Sequence, residues 1–194
     1  FGKPRQIHDN IACCLLTAVP LIVFFVIRDL RVGTDTIGIY QNIYFNGYGL
    51  DGWNPHIYEG LFKYLIILSA KIIPSFRFFL LIVACIVCLS FSFYFVKQRE
   101  NMNAAIAFLL FFIWLYLPCY NIMRQILAIT VCFYGTILLE KEHPVWATVC
   151  YIAACFVHVT AAVIMVYIVL YLFRKNANAR KFLPMLLFLL PIIV

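Results

Sequence analysis

An all-α bundle of membrane-crossing helices is the fold this sequence predicts, and three observations predict it. Apolar residues make up 65% of the chain and charged residues 12%, against about 25% charged in soluble domains. Several runs reach or approach the roughly 20 apolar residues that cross a bilayer. The basic residues gather in short segments between those runs, such as Arg174-Lys175 and Arg180-Lys181, a pattern typical of cytoplasmic loops. The net charge of +7 therefore says little about nucleic acid, and none is expected as a partner. Of the eight cysteines, Cys119 lies at a helix mouth and the rest lie within apolar runs. They read as small packing residues. No paired His/Cys set sits in a loop, so neither a disulfide framework nor a zinc site is expected.

The first apolar run spans about 10–28. Lys3 and Arg5 precede it, as in a signal peptide, but it contains Pro20, ends in Arg28-Asp29 and lacks a small-x-small cleavage site. It is therefore taken as a span. Residues 29–76 follow as a loop. Within them Ile57–Pro74 carries Glu59, Lys63 and Lys71 among Leu61, Phe62, Leu65, Ile66, Leu68 and Ile72, the pattern of an amphipathic interfacial helix. Further spans are expected near 77–96, 103–118 and 121–139. Pro144–Phe173 would form a straight helix about 45 Å long at 1.5 Å per residue, too long for a hydrocarbon core of about 30 Å. Two short helices meeting at Phe156–His158, a broken hairpin, fit better. A last span begins near residue 182. The chain lacks an initiator Met and stops inside an apolar run at Val194. It is expected to be one polytopic membrane domain (1–194), truncated at both ends.

Charge bias sets the orientation. With Ile57–Pro74 at the interface and 144–173 a hairpin, Lys3, Arg5, Lys97, Arg99, Lys141 and the 174–181 cluster lie inside. That is nine Lys/Arg inside and six outside, as the positive-inside rule asks. If Ile57–Pro74 spans instead, the split becomes five inside and ten outside. The first arrangement puts the loop after residue 28, the Asn121–Gln125 mouth and the His158 turn on one external side.

That side holds the candidate chemistry. Asn121, Arg124, Gln125 and Ala128 share a face at helical spacing. An arginine at a membrane helix centre costs about 2.5–3.5 kcal/mol, and less near an end. Arg124 beside two amides reads as an anion pocket, against the alternative of snorkelling to headgroups. Gly33-Thr34-Asp35 reads as a turn before a helix N-terminus. Asp35 or Thr34 is its cap, or Asp35 is a carboxylate base. Arg28 and Arg31 bind phosphate or sit in the headgroup layer. Tyr40, Tyr44, Tyr48 and Trp53 stack on sugar rings or form an interfacial belt. Glu59 is a first-turn acid favoured by the helix dipole, and joins Asp35 and His158 as a catalytic candidate. His158, an ionisable residue at membrane depth, is a functional candidate by default.

Arg31-Val-Gly-Thr-Asp35 with Tyr40, Glu59-Gly-Leu-Phe, Asn121-x-x-Arg124-Gln125-x-x-Ala128 and Phe156-x-His158-x-Thr-Ala occur in an order and spacing that resemble the EpsG family. These are Wzy-like polymerases of bacterial exopolysaccharide, capsule or O-antigen. The resemblance covers about residues 10–175, and Thr160 stands where a serine is expected. It implies a fold like that of the C-type glycosyltransferases, with a further span before residue 1 and several after 194. It implies an undecaprenyl-diphosphate-linked oligosaccharide repeat unit as substrate, joined to the growing chain outside the bacterial cytoplasmic membrane. A chain-length regulator and a flippase are its implied partners. Related enzymes place a catalytic acid in an early external loop, which favours Asp35 as base. No Asp-x-Asp motif appears, so a metal-independent, cofactor-free reaction is expected. Arginine forks would stabilise the diphosphate leaving group.

Two other classes fit parts of the pattern. A flippase of lipid-linked sugars would also want an arginine pocket, but would show repeated halves. A membrane O-acyltransferase could use His158 as base, but leaves the arginines unexplained.

Overall fold

The computed structural model describes residues 4–46 and 60–164. Within them the protein is an all-α polytopic membrane fold with no strand. Helix α1 (Pro4–Ile27) carries Pro20 in its interior. Its buried residues Cys14, Ala18, Ile22 and Phe25 recur at helical spacing and face α4 (Phe76–Lys97). Helix α4 is the hub. It packs on α1, on α3 (Gly60–Ile72), on α5 (Ala104–Phe111) and on α6 (Met123–Glu140), and about half of its span is buried inside the protein. Stretches of α1, α4 and α6 (Met123–Glu140) are long and apolar enough to cross a membrane.

The segment after α1 becomes helical directly after Gly33-Thr34-Asp35, where a turn before a helix N-terminus was expected. A π turn runs over Thr36–Gln41 and passes directly into α2 (Asn42–Asn46). Helix α3 (Gly60–Ile72) buries Phe62, Ile66, Ser69 and Ala70 along one stripe. Phe62 meets Phe79 of the first α4 turn, with ring centroids 5.8 Å apart. Tyr44 adds its ring against Phe76 and Phe79.

The expected straight helix over 103–118 is subdivided. Asn103 caps α5 (Ala104–Phe111), its side chain accepting from the Ile106 N–H at 3.2 Å. A π turn (Phe112–Tyr116) and a 3₁₀ turn (Pro118–Tyr120) come next. Proline has no N–H to extend the ladder, and Tyr116 turns inward to donate to Leu21 O at 2.8 Å. Asn121 then lies before α6, not on it. Ala128, placed by spacing on the polar face, is buried in the contact between α6 and α7 (Pro144–Val157).

That contact is built from small residues: Ala128, Cys132, Ala147 and Ala154 are buried there. Close approach of small residues is the usual basis of helix association in lipid. A Cβ at Gly135 would come within 2.8 Å of the Tyr151 ring. The Tyr151 hydroxyl stands 3.0 Å from Thr136 Oγ1. Helix α7 stops at Val157. His158 is extended (φ −157°, ψ 124°), and a 3₁₀ turn covers Val159–Ile164. The helix thus breaks at His158. The returning half of the expected hairpin, beyond residue 164, and the span expected from residue 182 lie outside the described residues.

Contacts between elements fix which ends coincide. Arg77 reaches Val26 and Arg28, Thr36 reaches Tyr120, and Gln125 reaches Thr160. At the opposite end Arg99 lies 3.8 Å from Cys13 Sγ. The sequence candidates Asp35, Asn121, Arg124 and His158 therefore share one end of the bundle.

Candidate functional site

The site end is closed by a turn folded onto a backbone carbonyl. Thr36 is fully buried and donates to Tyr120 O at 2.7 Å. Gly33 has φ 94°, a conformation that favours glycine. A Cβ there would also stand 2.6 Å from Tyr120 O, so two separate constraints demand glycine.

Arg28 closes the other side. Its guanidinium lies 4.2 Å from the Phe25 ring centroid and 4.1 Å from that of Tyr120. Nη1 donates to Phe25 O at 2.6 Å, Nη2 to Thr36 Oγ1 at 3.0 Å and Nε to Val32 O at 3.3 Å. Burial lowers its pKa, yet an arginine stays charged. The sequence left Arg28 as a phosphate ligand or a headgroup contact. The structure gives it a third place, as an internal staple with all three nitrogens donating to this chain.

Arg31 is highly exposed, its Nε 3.5 Å from Asp29 Oδ1. Asp29 in turn accepts the Arg31 N–H at 2.8 Å, which holds its carboxyl below the usual range. Among the described residues Arg31 is not brought into contact with the other candidates.

Asp35 is half-buried at the entrance of the π turn. Its backbone is α-like (φ −76°, ψ −15°) and its side chain makes no cap hydrogen bond. Helix caps have extended backbone and a bond to an N–H, so the capping role expected of Asp35 is not what it does. Thr34 Oγ1 stands 3.4 Å from both Asp35 Oδ1 and Asn121 Oδ1, and its single proton serves one at a time.

Tyr40 was expected to stack on a sugar or to join an interfacial belt. Its ring is instead buried, 6.0 Å from that of Phe62. Its hydroxyl lies close enough to Arg124 for the backbone and guanidinium of that residue to act on it electrostatically. The cap position of α6, Ile122, has no side-chain cap, and the first four N–H groups of a helix need outside acceptors. The Tyr40 hydroxyl lies beside the one at Arg124. Burial raises its pKa, with Arg124 opposing the shift, so the hydroxyl stays protonated at neutral pH. Tyr44 is also buried. Tyr48, Trp53 and Glu59 lie outside the described residues.

Arg124 is half-buried, 5.9 Å from the Phe62 centroid, within reach of a cation–π attraction. Gln125 Nε2 lies 3.4 Å from Thr160 Oγ1, just past the half-buried His158. The arrangement brings an acid, a tyrosine, a guanidinium, an amide and an imidazole to the place where two helices begin and break. Among the described residues no group of three His, Cys, Asp or Glu could hold a metal ion.

Sequence reasoning missed Thr36, Tyr120 and Arg77, and had Phe62 only as part of an amphipathic face and a motif. None of the three carries a local signal, since each acts through an element distant in the chain.

A family model matches residues 11–194, and its description is the EpsG family. The chain belongs to the EpsG family. Neither a curated protein nor a solved structure matches it. EpsG membership gives this membrane protein a role in polysaccharide biosynthesis of an exopolysaccharide-polymerase type. The EpsG-like stretches seen in the sequence, as far as they are described, converge on the site end.

Tyr40→Phe keeps the buried ring and removes the hydroxyl on which Arg124 acts. A polar group paired with a charged one contributes up to about 1.5–3 kcal/mol. Polymer formed per membrane-inserted protein is expected to fall roughly tenfold to a hundredfold. Normal polymer with this variant would show that Arg124 is held without Tyr40.

Proposed function

We propose that this protein is a glycosyltransferase that polymerises a bacterial surface polysaccharide. Its substrates are undecaprenyl-diphosphate-linked oligosaccharide repeat units, joined at the external face of the cytoplasmic membrane. The observation that carries the reading is the convergence at one end of the bundle: Thr34 Oγ1 stands 3.4 Å from both Asp35 Oδ1 and Asn121 Oδ1, Arg124 follows in the first turn of α6, and Gln125 Nε2 lies 3.4 Å from Thr160 Oγ1 beside His158.

In this reading Asp35 accepts the proton of the acceptor sugar hydroxyl. The hydroxyl oxygen bonds to the anomeric carbon of the growing chain. The bond from that carbon to the diphosphate oxygen breaks, and the diphosphate leaves with the electron pair. Arg124 donates to the departing oxygens, where charge develops, and a planar fork suits a diphosphate better than a point charge. Gln125 and Asn121 orient the sugar, and His158 donates a hydrogen bond to phosphate or acceptor. Arginine takes the charge-neutralising part, so the reaction is proposed to need no metal. Arg31, at the surface of the same turn, is placed to meet the lipid-linked donor as it enters. A chain-length regulator and a flippase are the proposed protein partners.

Glycan length in cells lacking the gene tests the class. Loss of polymer with a single repeat unit still exported supports polymerisation. Loss of all exported glycan points to a flippase, and polymer lacking acyl groups to an acyltransferase.

The external orientation follows from the charge split. Single cysteines placed at Asn101 or Asn178 in a cysteine-free background are expected to resist an impermeant thiol reagent. Labelling of either from outside would invert the orientation.

Asp35→Asn keeps size and removes basicity, so it is expected to abolish polymerisation at near-normal membrane abundance. His158→Gln is expected to leave partial activity, because an amide still donates. The opposite pattern would assign the base to His158. Arg124→Lys is expected to be nearly as damaging as Arg124→Ala in polymer laddering. If the lysine variant ladders normally, Arg124 contributes only charge.

A further inference from the structure

A fourth arginine stands beneath the turn and has no part in the chemistry above. Arg77 is the second residue of α4 and half-buried. Its Nη1 donates to Val26 O, and to Arg28 O at 2.7 Å. These carbonyls belong to the last turn of α1 and to the residue after it. A helix end leaves four carbonyls without intrahelical donors, and membrane depth makes an unmet carbonyl costly. The Arg28 N–H serves Phe24 O at 3.2 Å, and Arg28 Nη1 serves Phe25 O. Arg77 continues where Arg28 stops. In the first turn of its own helix a cation is disfavoured by the dipole, whereas at the end of α1 it is favoured. The end of α1 therefore accounts for its presence.

We propose that Arg77 is a positioning residue for the site: by fixing the Arg28 carbonyl it sets the turn that carries Asp35. The path is continuous. Arg77 holds the Arg28 backbone, the Arg28 guanidinium holds Thr36 Oγ1, and Thr36 holds Tyr120 O. Asp35 is the residue before Thr36. Without Arg77 the exit angle of the chain from α1 is free to change, and with it the register of the turn on Tyr120 and Asn121. The effect on activity rests on the polymerase reading; the effect on the turn does not.

The test uses the full chain in membranes, in a cysteine-free background carrying Thr34→Cys with Asn121→Cys. The native side chains of that pair are 3.4 Å apart, so oxidation with copper phenanthroline reports the seating of the turn. Arg77→Met keeps length and removes the donors. Arg77→Lys keeps a cation that can donate to both carbonyls. Cross-link yield is expected to drop roughly tenfold with Arg77→Met at equal abundance, and to recover with Arg77→Lys. In the protein with its own cysteines, Arg77→Met is expected to lower kcat with lipid-linked repeat units roughly tenfold or more. KM should be little changed, and the lysine variant should restore kcat. An unchanged cross-link with raised KM would overturn the proposal, making Arg77 a donor contact. Equal loss of abundance in both variants would overturn it too, leaving a folding role alone. If cross-linking follows the expected pattern while even the unaltered protein fails to polymerise repeat units, positioning stands and the polymerase reading falls.

Discussion

The carbonyl of Tyr120 is the point on which the site end closes. It accepts from Thr36 and excludes any side chain at position 33. It lies where the α5 path, loosened by a π turn and Pro118, bends toward α6. A backbone atom is a fixed partner: its position depends on how the helices meet, not on a rotamer. The turn bearing Asp35 is thereby referenced to the start of α6, which bears Arg124. Distance between the two groups becomes a property of the bundle.

Two arginines at this end have opposite surroundings. Arg28 has an aromatic ring within about 4.2 Å on two sides, and donates from each nitrogen to its own chain. A guanidinium so enclosed stabilises structure. Arg124 stands in the first turn of α6, where the dipole disfavours a cation. The face of Phe62 and the hydroxyl of Tyr40 offset part of that. An arriving anion would meet both the guanidinium and the positive helix end.

The helical class was legible because apolar length alone decides it in lipid. The break at His158 was legible too, since Pro144–Phe173 is too long for one span. Gly33 announced a turn. What stayed hidden was partnership. Arg28 looked like a ligand because sequence shows its charge but not Phe25 and Tyr120 closing over it. Asn121 was placed on a helix face because spacing cannot reveal that Pro118 starts a 3₁₀ turn and delays α6 to Met123. Tyr40 looked like a sugar platform or a belt residue because its burial depends on Phe62, farther along the chain.

The π turn at Thr36–Gln41 sets the separation of Asp35 and Tyr40. In an α-helix, residues five apart point about 140° away from each other. The wider i→i+5 winding returns them to nearly the same side. Segments between membrane helices usually tolerate gain or loss of a residue. Here the five-residue spacing needs the wider winding: α winding over the same residues would turn the acid away from the tyrosine, whereas loss of one residue would leave them four apart and about 40° from each other on an α-helix. In this stretch winding and residue count compensate, and it is the pairing of the two that keeps acid and aromatic on one face.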